Sequence, residues 1–218
     1  MRMTGSALVV AAALVVAHPA EAQVAIDLKV GYGLPTGDVV TLGGVGNDYV
    51  GAMSHVWSGA VPVEVAGRYR FSPKFSVGVY FQYAPALMAA WSCSTGLTCS
   101  GYDMRAGVEA VYGFLPDRFL NPWVSVGTGW EWTNLHVTDN ILTNTVNFSG
   151  WEYFNVQAGL DFQLSKTFAI GPYVGYFGGS YTSLSADISG TTESGTIASE
   201  FRAFHGWIQI GAKGTVNL

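Results

Sequence analysis

The sequence predicts an all-β protein, an eight-stranded antiparallel up-and-down transmembrane β-barrel behind a cleaved signal peptide. Three observations lead there. Alternation of apolar and polar residues with period two recurs eight times along the chain. The connections between these runs alternate between short and long. The face opposite the apolar one carries both the strand glycines and nearly all the strand charges.

The first element is the leader. Residues 1–22 begin with Arg2, continue through an apolar run from Ala7 to Ala17 and end in Ala20-Glu21-Ala22. That order is a secretory signal with an A-x-A cleavage site, cut before Gln23. The run is far shorter than the roughly 20 residues that span a bilayer. The domain expected after it is a single outer-membrane barrel over residues 23–218. Charged residues make up only 11% of the chain, aromatics 14%, and there are 28 glycines. Soluble domains carry roughly 25% charge and about 7% glycine. An exported chain with this balance suggests β-structure in contact with lipid. The formal charge of −5 argues against a nucleic-acid partner, whose phosphates call for a basic surface.

The eight runs cover 24–34, 60–71, 75–85, 101–114, 122–134, 151–164, 168–182 and 201–217. They exceed the usual globular strand of about 5–6 residues and match the roughly 9–11 that a tilted transmembrane strand needs. Three connections are short: Ser72-Pro73-Lys74, the stretch 115–121, and Ser165-Lys166-Thr167. Four are long and polar: 35–59, 86–100, 135–150 and 183–200. This sorting of loops by end is the asymmetry of outer-membrane barrels, and it puts both chain ends on the short-turn, periplasmic side.

The hairpin "EVAGRYRFSPKFSVGVYFQYAP" at 64–85 poses the question of which face meets water. Val65, Tyr69, Phe71, Phe75, Val77, Val79, Phe81 and Tyr83 share one face, and Glu64, Arg68, Arg70 and Gln82 the other. Gly78, Gly107, Gly127, Gly129, Gly159, Gly171, Gly175 and Gly211 fall on the charged side of their strands. Glycine weakens a strand and gains nothing on a wet outer wall. Inside a narrow barrel it makes room for long Arg, Lys and Glu side chains. The charged face therefore points inward and the aromatics face lipid. Tyr69, Phe71, Phe75, Phe114, Phe162 and Phe168 form an expected belt near the short turns. Tyr83, Trp91, Tyr102, Trp130, Trp132, Trp151, Tyr153, Tyr176, Tyr181 and Phe201 form another near the long loops.

With "RYRFSPKFSVGVYFQY" and the closing strand "GWIQIGAKGTVNL", the chain resembles the small eight-stranded outer-membrane barrels of Gram-negative bacteria, among them the OmpA transmembrane domain and the Opa-like, porin-like proteins. Such barrels usually end in an aromatic residue, where this chain has Leu218. The resemblance implies residence in the outer membrane after export through the periplasm, with outer-membrane lipid and the barrel-assembly machinery as partners. It implies a monomer.

The inward face carries Asp27, Glu64, Asp103, Glu109, Glu131 and Asp161, opposed by Lys29, Arg68, Arg70, Arg105 and Lys213. Charges in so narrow a space require pairing. The set reads either as a structural network that plugs the lumen or as a narrow water path gated by ion pairs. Alternation alone explains every carboxylate, so no catalytic pair is assigned. His205 falls inward on the last strand, and His136, Thr138 and Asp139 lie together in a long loop. No G-x-S-x-G elbow or metal-spaced His pair accompanies them, and no enzyme, cofactor or metal is expected. Cys93 and Cys99, in "CSTGLTC", are expected to form a disulfide in the oxidising compartment.

No Lys or Arg occurs in the four long loops, which instead hold Asp38, Asp48, Asp139, Asp187, Glu193 and Glu200. An anionic outer end disfavours capture of phosphate-rich or sulfated polymers there and leaves a basic surface partner open. The stretch 35–59 mixes Gly with Val45, Met53, Val56 and Trp57, and is expected to fold over the mouth or meet a partner. The stretch 183–200 reads as mobile loop. Two functions follow as alternatives: a non-enzymatic barrel acting through its loops, or a small low-conductance pore.

Overall fold

The computed structural model describes residues 23–40, 51–89, 93, 96–138, 143–188 and 190–218. The signal peptide, Val45, Asp48, Trp91 and Asp139 lie outside the described residues. The strands are β1 (Gln23–Gly37), β2 (Trp57–Ala60), β3 (Val63–Arg70), β4 (Phe75–Met88), β5 (Thr98–Gly113), β6 (Leu120–Thr138), β7 (Thr143–Gln163), β8 (Phe168–Ile188), β9 (Thr191–Thr196) and β10 (His205–Asn217). Among the described residues a short α-helix, α1, covers Met53–Val56, and a single 3-10 turn covers Ser199–Phe201.

All pairing is antiparallel, and the sheet closes on itself through β1 and β10, in register from Ala25↔Asn217 to Gly37↔His205. β2 and β3 are two segments of one stave, parted at Val61 and Pro62. Proline cannot donate to the ladder, but the Pro62 carbonyl still accepts from the Gly31 N–H at 3.1 Å. Among the described residues β9 pairs only with the end of β8, as a hairpin. Eight staves thus close the wall, as the sequence predicts.

The short turns "SPK" and "SKT" share one construction. The Phe71 and Leu164 N–H groups donate to the carbonyls of Phe75 and Phe168, both at 3.0 Å. Ser72 Oγ and Ser165 Oγ accept from the same two phenylalanine N–H groups at 3.1 and 3.0 Å. A serine at the first turn position thus satisfies a donor that the hairpin leaves over.

Side chains alternate across the wall. Val79, Val126 and Ile210 are 63%, 56% and 62% exposed, while Asp27 and Lys29 are 1% and 2% exposed. An apolar exterior wrapped around a charged interior is the inverse of a soluble barrel and needs hydrocarbon as its solvent. Ring pairs mark both rims of the apolar band. Tyr69–Phe71, Tyr112–Phe114 and Phe119–Phe162 lie at the short-turn rim, with centroids 4.8–5.9 Å apart. Tyr83–Tyr102, Trp130–Trp151 and Phe154–Tyr176 lie at the other, at 5.1–6.0 Å. Tyr181, expected in the outer belt, is instead inside and only 1% exposed.

Two expected loops are strand. β6 and β7 continue their ladder out to Thr138↔Thr143, through most of 135–150. Much of 183–200 is the β8–β9 hairpin, from Ser183↔Thr196 to Ile188↔Thr191. Their Thr and Val residues suit extended backbone, but β9, "TTESGT", is polar on both faces and shows no apolar alternation to announce the hairpin.

Candidate functional site

The interior is the candidate site, and it has three levels. Toward the short turns, Arg68 pairs with Asp27, its Nη2 donating to Oδ1 at 2.7 Å. Thr215 Oγ1 donates to the same oxygen at 2.6 Å. Lys213 Nζ donates to Asp161 Oδ2 at 3.0 Å and lies 3.7 Å from the centroid of the Trp123 ring. At mid-height Lys29 Nζ donates to Glu64 at 2.6 Å, Gln157 at 2.9 Å and Glu109 at 3.4 Å.

Toward the long loops Arg105 is the hub. Its Nη2 is 2.8 Å from Glu131 and 2.9 Å from Asp103, and its Nε is 3.5 Å from Glu152. His205 Nε2 lies 2.8 Å from the other Glu131 oxygen, and its ring stacks on Tyr181 with centroids 3.9 Å apart. Thr133 Oγ1 donates to Asp103 at 2.8 Å. Tyr80 donates to Glu152 at 2.5 Å, and Asn155 Nδ2 donates to the same carboxylate at 2.6 Å.

Ten of the eleven charged residues expected in the lumen are buried there. Arg70 differs: it is only half-buried at the short-turn mouth, where its Nη2 donates to Asn217 Oδ1 at 2.6 Å. Glu152 was not expected. A bulge between Glu152 and Phe154 lets Tyr153 and Phe154 both face outward and returns Glu152 to the inside. Two adjacent lipid-facing aromatics in "WEYFNVQ" are the trace of that bulge in the sequence. Glu152 makes the carboxylates seven, Asp27, Glu64, Asp103, Glu109, Glu131, Glu152 and Asp161, against five Lys and Arg side chains.

The glycines need a correction too. Gly78 does clear Arg68, since a Cβ there would lie 2.6 Å from Arg68 Cγ. Gly107 and Gly129 instead clear the Tyr80 hydroxyl, each Cβ falling 2.6 Å from it, and Gly159 clears the Trp123 ring at 2.6 Å. The space goes mainly to aromatic rings, because a ring is wider than a Lys or Arg stem.

The outer end of the lumen is closed by apolar packing. Met53 and Trp57, from the segment expected to fold over the mouth, pack with Val39, Ala60, Ala84, Tyr181, Ile197 and Trp207. Backbone bonds pin this plug to the rim: Val39 N–H to Gly51 O at 2.6 Å and Ala89 N–H to Val56 O at 3.0 Å. Cys93 and Cys99 are disulfide-bonded with Cα atoms 5.9 Å apart, as expected for an exported chain. His136 Nδ1 meets Thr145 Oγ1 at 2.9 Å in the β6–β7 hairpin, far from His205 in the ladder register.

No protein-family model and no curated protein matches the chain. Among solved structures it is similar to the outer membrane protein OprG from Pseudomonas aeruginosa, with a TM-score of 0.55 and 10% identity over 90% of this chain and 96% of that one. It is equally similar to a major outer membrane protein from Thermus thermophilus, with a TM-score of 0.55 and 11% identity over 91% and 100% of the two chains. The shared feature is the fold, that of an outer-membrane β-barrel.

Proposed function

We propose that this chain is a monomeric, non-enzymatic outer-membrane barrel with a sealed lumen, its short-turn end in the periplasm, acting at the cell surface through its outer hairpins. One observation carries the reading. From Asp27 up to Glu131 the lumen charges are almost fully buried in ion pairs, and the Met53–Trp57 plug sits above them. A conducting path would need hydrated charges, whereas these are held by protein partners. The outer rim displays Asp38, Asp187, Glu193 and Glu200, which suits a basic surface partner.

Planar-bilayer recording of the refolded, signal-free protein tests the seal. Silence from protein whose insertion is confirmed by heat-modifiable gel migration is the expected result. Reproducible steps whose ion selectivity shifts with Arg68→Ala or Glu109→Ala would replace this reading with that of a small pore.

A further inference from the structure

The lumen is not filled evenly. At its short-turn end lies a cavity of about 510 Å³, within the size range of small-ligand sites. Six cationic side chains line it, Arg68, Arg70, Lys74, Arg118, Lys166 and Lys213, against two carboxylates, Asp117 and Asp161. Arg68 and Lys213 are already neutralised by Asp27 and Asp161. The surplus comes from the rim. Lys74, Arg118 and Lys166 stand on three different short turns, so each turn brings one cation to the same opening. Among the described residues none of these three takes part in an ion pair. Arg70 stands beside them, its Nη2 donating to Asn217 Oδ1.

A second observation points to a ligand. Trp123 lines the cavity, is 2% exposed, and among the described residues its indole N–H has no hydrogen-bond partner. A buried donor without an acceptor costs free energy unless something supplies one. Guanidinium groups at Arg70 and Arg118 present forked donors suited to tetrahedral oxyanions. Several unopposed cations around one opening favour a multivalent anion over a single carboxylate.

We propose that this cavity is a binding site for a small, multivalent, phosphate-bearing anion entering from the short-turn side. The site lies at the end of the barrel opposite the acidic hairpins and does not depend on whether the lumen conducts. Lys74, Arg118 and Lys166 draw the anion in, and Arg70 and Arg118 fork its oxygens beside the Trp123 ring. The phosphate could belong to a free solute or to a lipid headgroup of the adjoining leaflet, which share this chemistry.

The test is calorimetric titration of the folded protein, in dodecyl maltoside and phosphate-free buffer, with sodium pyrophosphate. One saturable site per chain is expected, weakening as salt is raised. The double variant R118E/K166E changes only exposed turn residues, and is expected to bind roughly tenfold or more weakly. The single variants R118Q and K166Q are expected to lose about threefold each, and serve if the double variant does not refold. Competition by dihexanoyl phosphatidylglycerol would assign the site to a headgroup, and its failure to compete would assign it to a free solute. Absence of saturable heat, or an affinity unchanged in all three variants, would overturn the proposal. Channel silence would not bear on it.

Discussion

Arg105 and Arg68 stand at opposite ends of one lumen and are neutralised differently. Arg105 lies under the apolar plug, 5.2 Å from the Phe177 ring centroid and 6.0 Å from that of Trp207, and it meets three carboxylates, Asp103, Glu131 and Glu152. Arg68 lines the cavity at the short-turn end and, among the described residues, pairs with Asp27 alone, with a further bond to Ser76. Where rings exclude water, a charge is held by several protein groups at once. Beside the cavity, a single carboxylate gripped at two points, with a serine on the remaining nitrogen, is enough.

The comparison breaks most visibly at Arg105. Arg105→Leu leaves three carboxylates clustered without their cation, and is expected to cost about 3–5 kcal/mol. Arg70→Ala, at the half-buried mouth, is expected to cost less than about 1 kcal/mol. Urea unfolding of the two variants in lipid vesicles, followed by tryptophan fluorescence, measures both. Equal losses would show that the two ends do not differ in access to water.

The plug gives the next effect. Met53 is fully buried among Val39, Trp57 and their neighbours, so Met53→Ala is expected to destabilise by about 2–3 kcal/mol. If the plug instead unfolds independently of the wall, the same variant will leave the main transition in place. It will then speed hydrogen exchange only around 51–60.

The wall was legible in the sequence because period-two alternation fixes the face of each residue. That logic placed Lys29, Glu64, Arg105 and Glu131 inside without any knowledge of partners. It failed where the period slips. Glu152 was lost to a bulge, and a single inserted residue reverses every face assignment on one side of it. Tyr181 was missed for another reason: alternation from Gly171 and Gly175 places it inside, where it stacks on His205, but its nearness to the long loops assigned it to the belt. The pairing inside was not readable at all. Arg105 finds Asp103 two residues away and Glu152 on another stave, and only barrel closure decides which staves face each other. The basic cavity was half visible: Lys74, Arg118 and Lys166 fall in short turns in the sequence, but their convergence on one opening is a product of closure.

Glycines sharpen the contrast between inside and outside with smaller effects. A Cβ on Gly107 would meet the Thr128 carbonyl and the Tyr80 hydroxyl, and Tyr80 is itself tied to Glu152. Gly107→Ala is therefore expected to cost about 1–3 kcal/mol, because the backbone at Thr128 must shift as well as the Tyr80 ring.

Gly67 is the opposite case. It faces lipid, between Ile26 on β1 and Val79 on β4, and a Cβ there would meet nothing within 4 Å. Alanine at this position narrows the backbone freedom of the unfolded chain and adds apolar surface toward hydrocarbon, at no steric cost. Gly67→Ala is expected to stabilise the barrel by about 0.5 kcal/mol. The same urea titration resolves this as a shift of the midpoint to higher denaturant with an unchanged slope. A destabilisation of the size expected for Gly107 would mean that Gly67 faces something other than lipid, and that the outward face of β3 meets a partner.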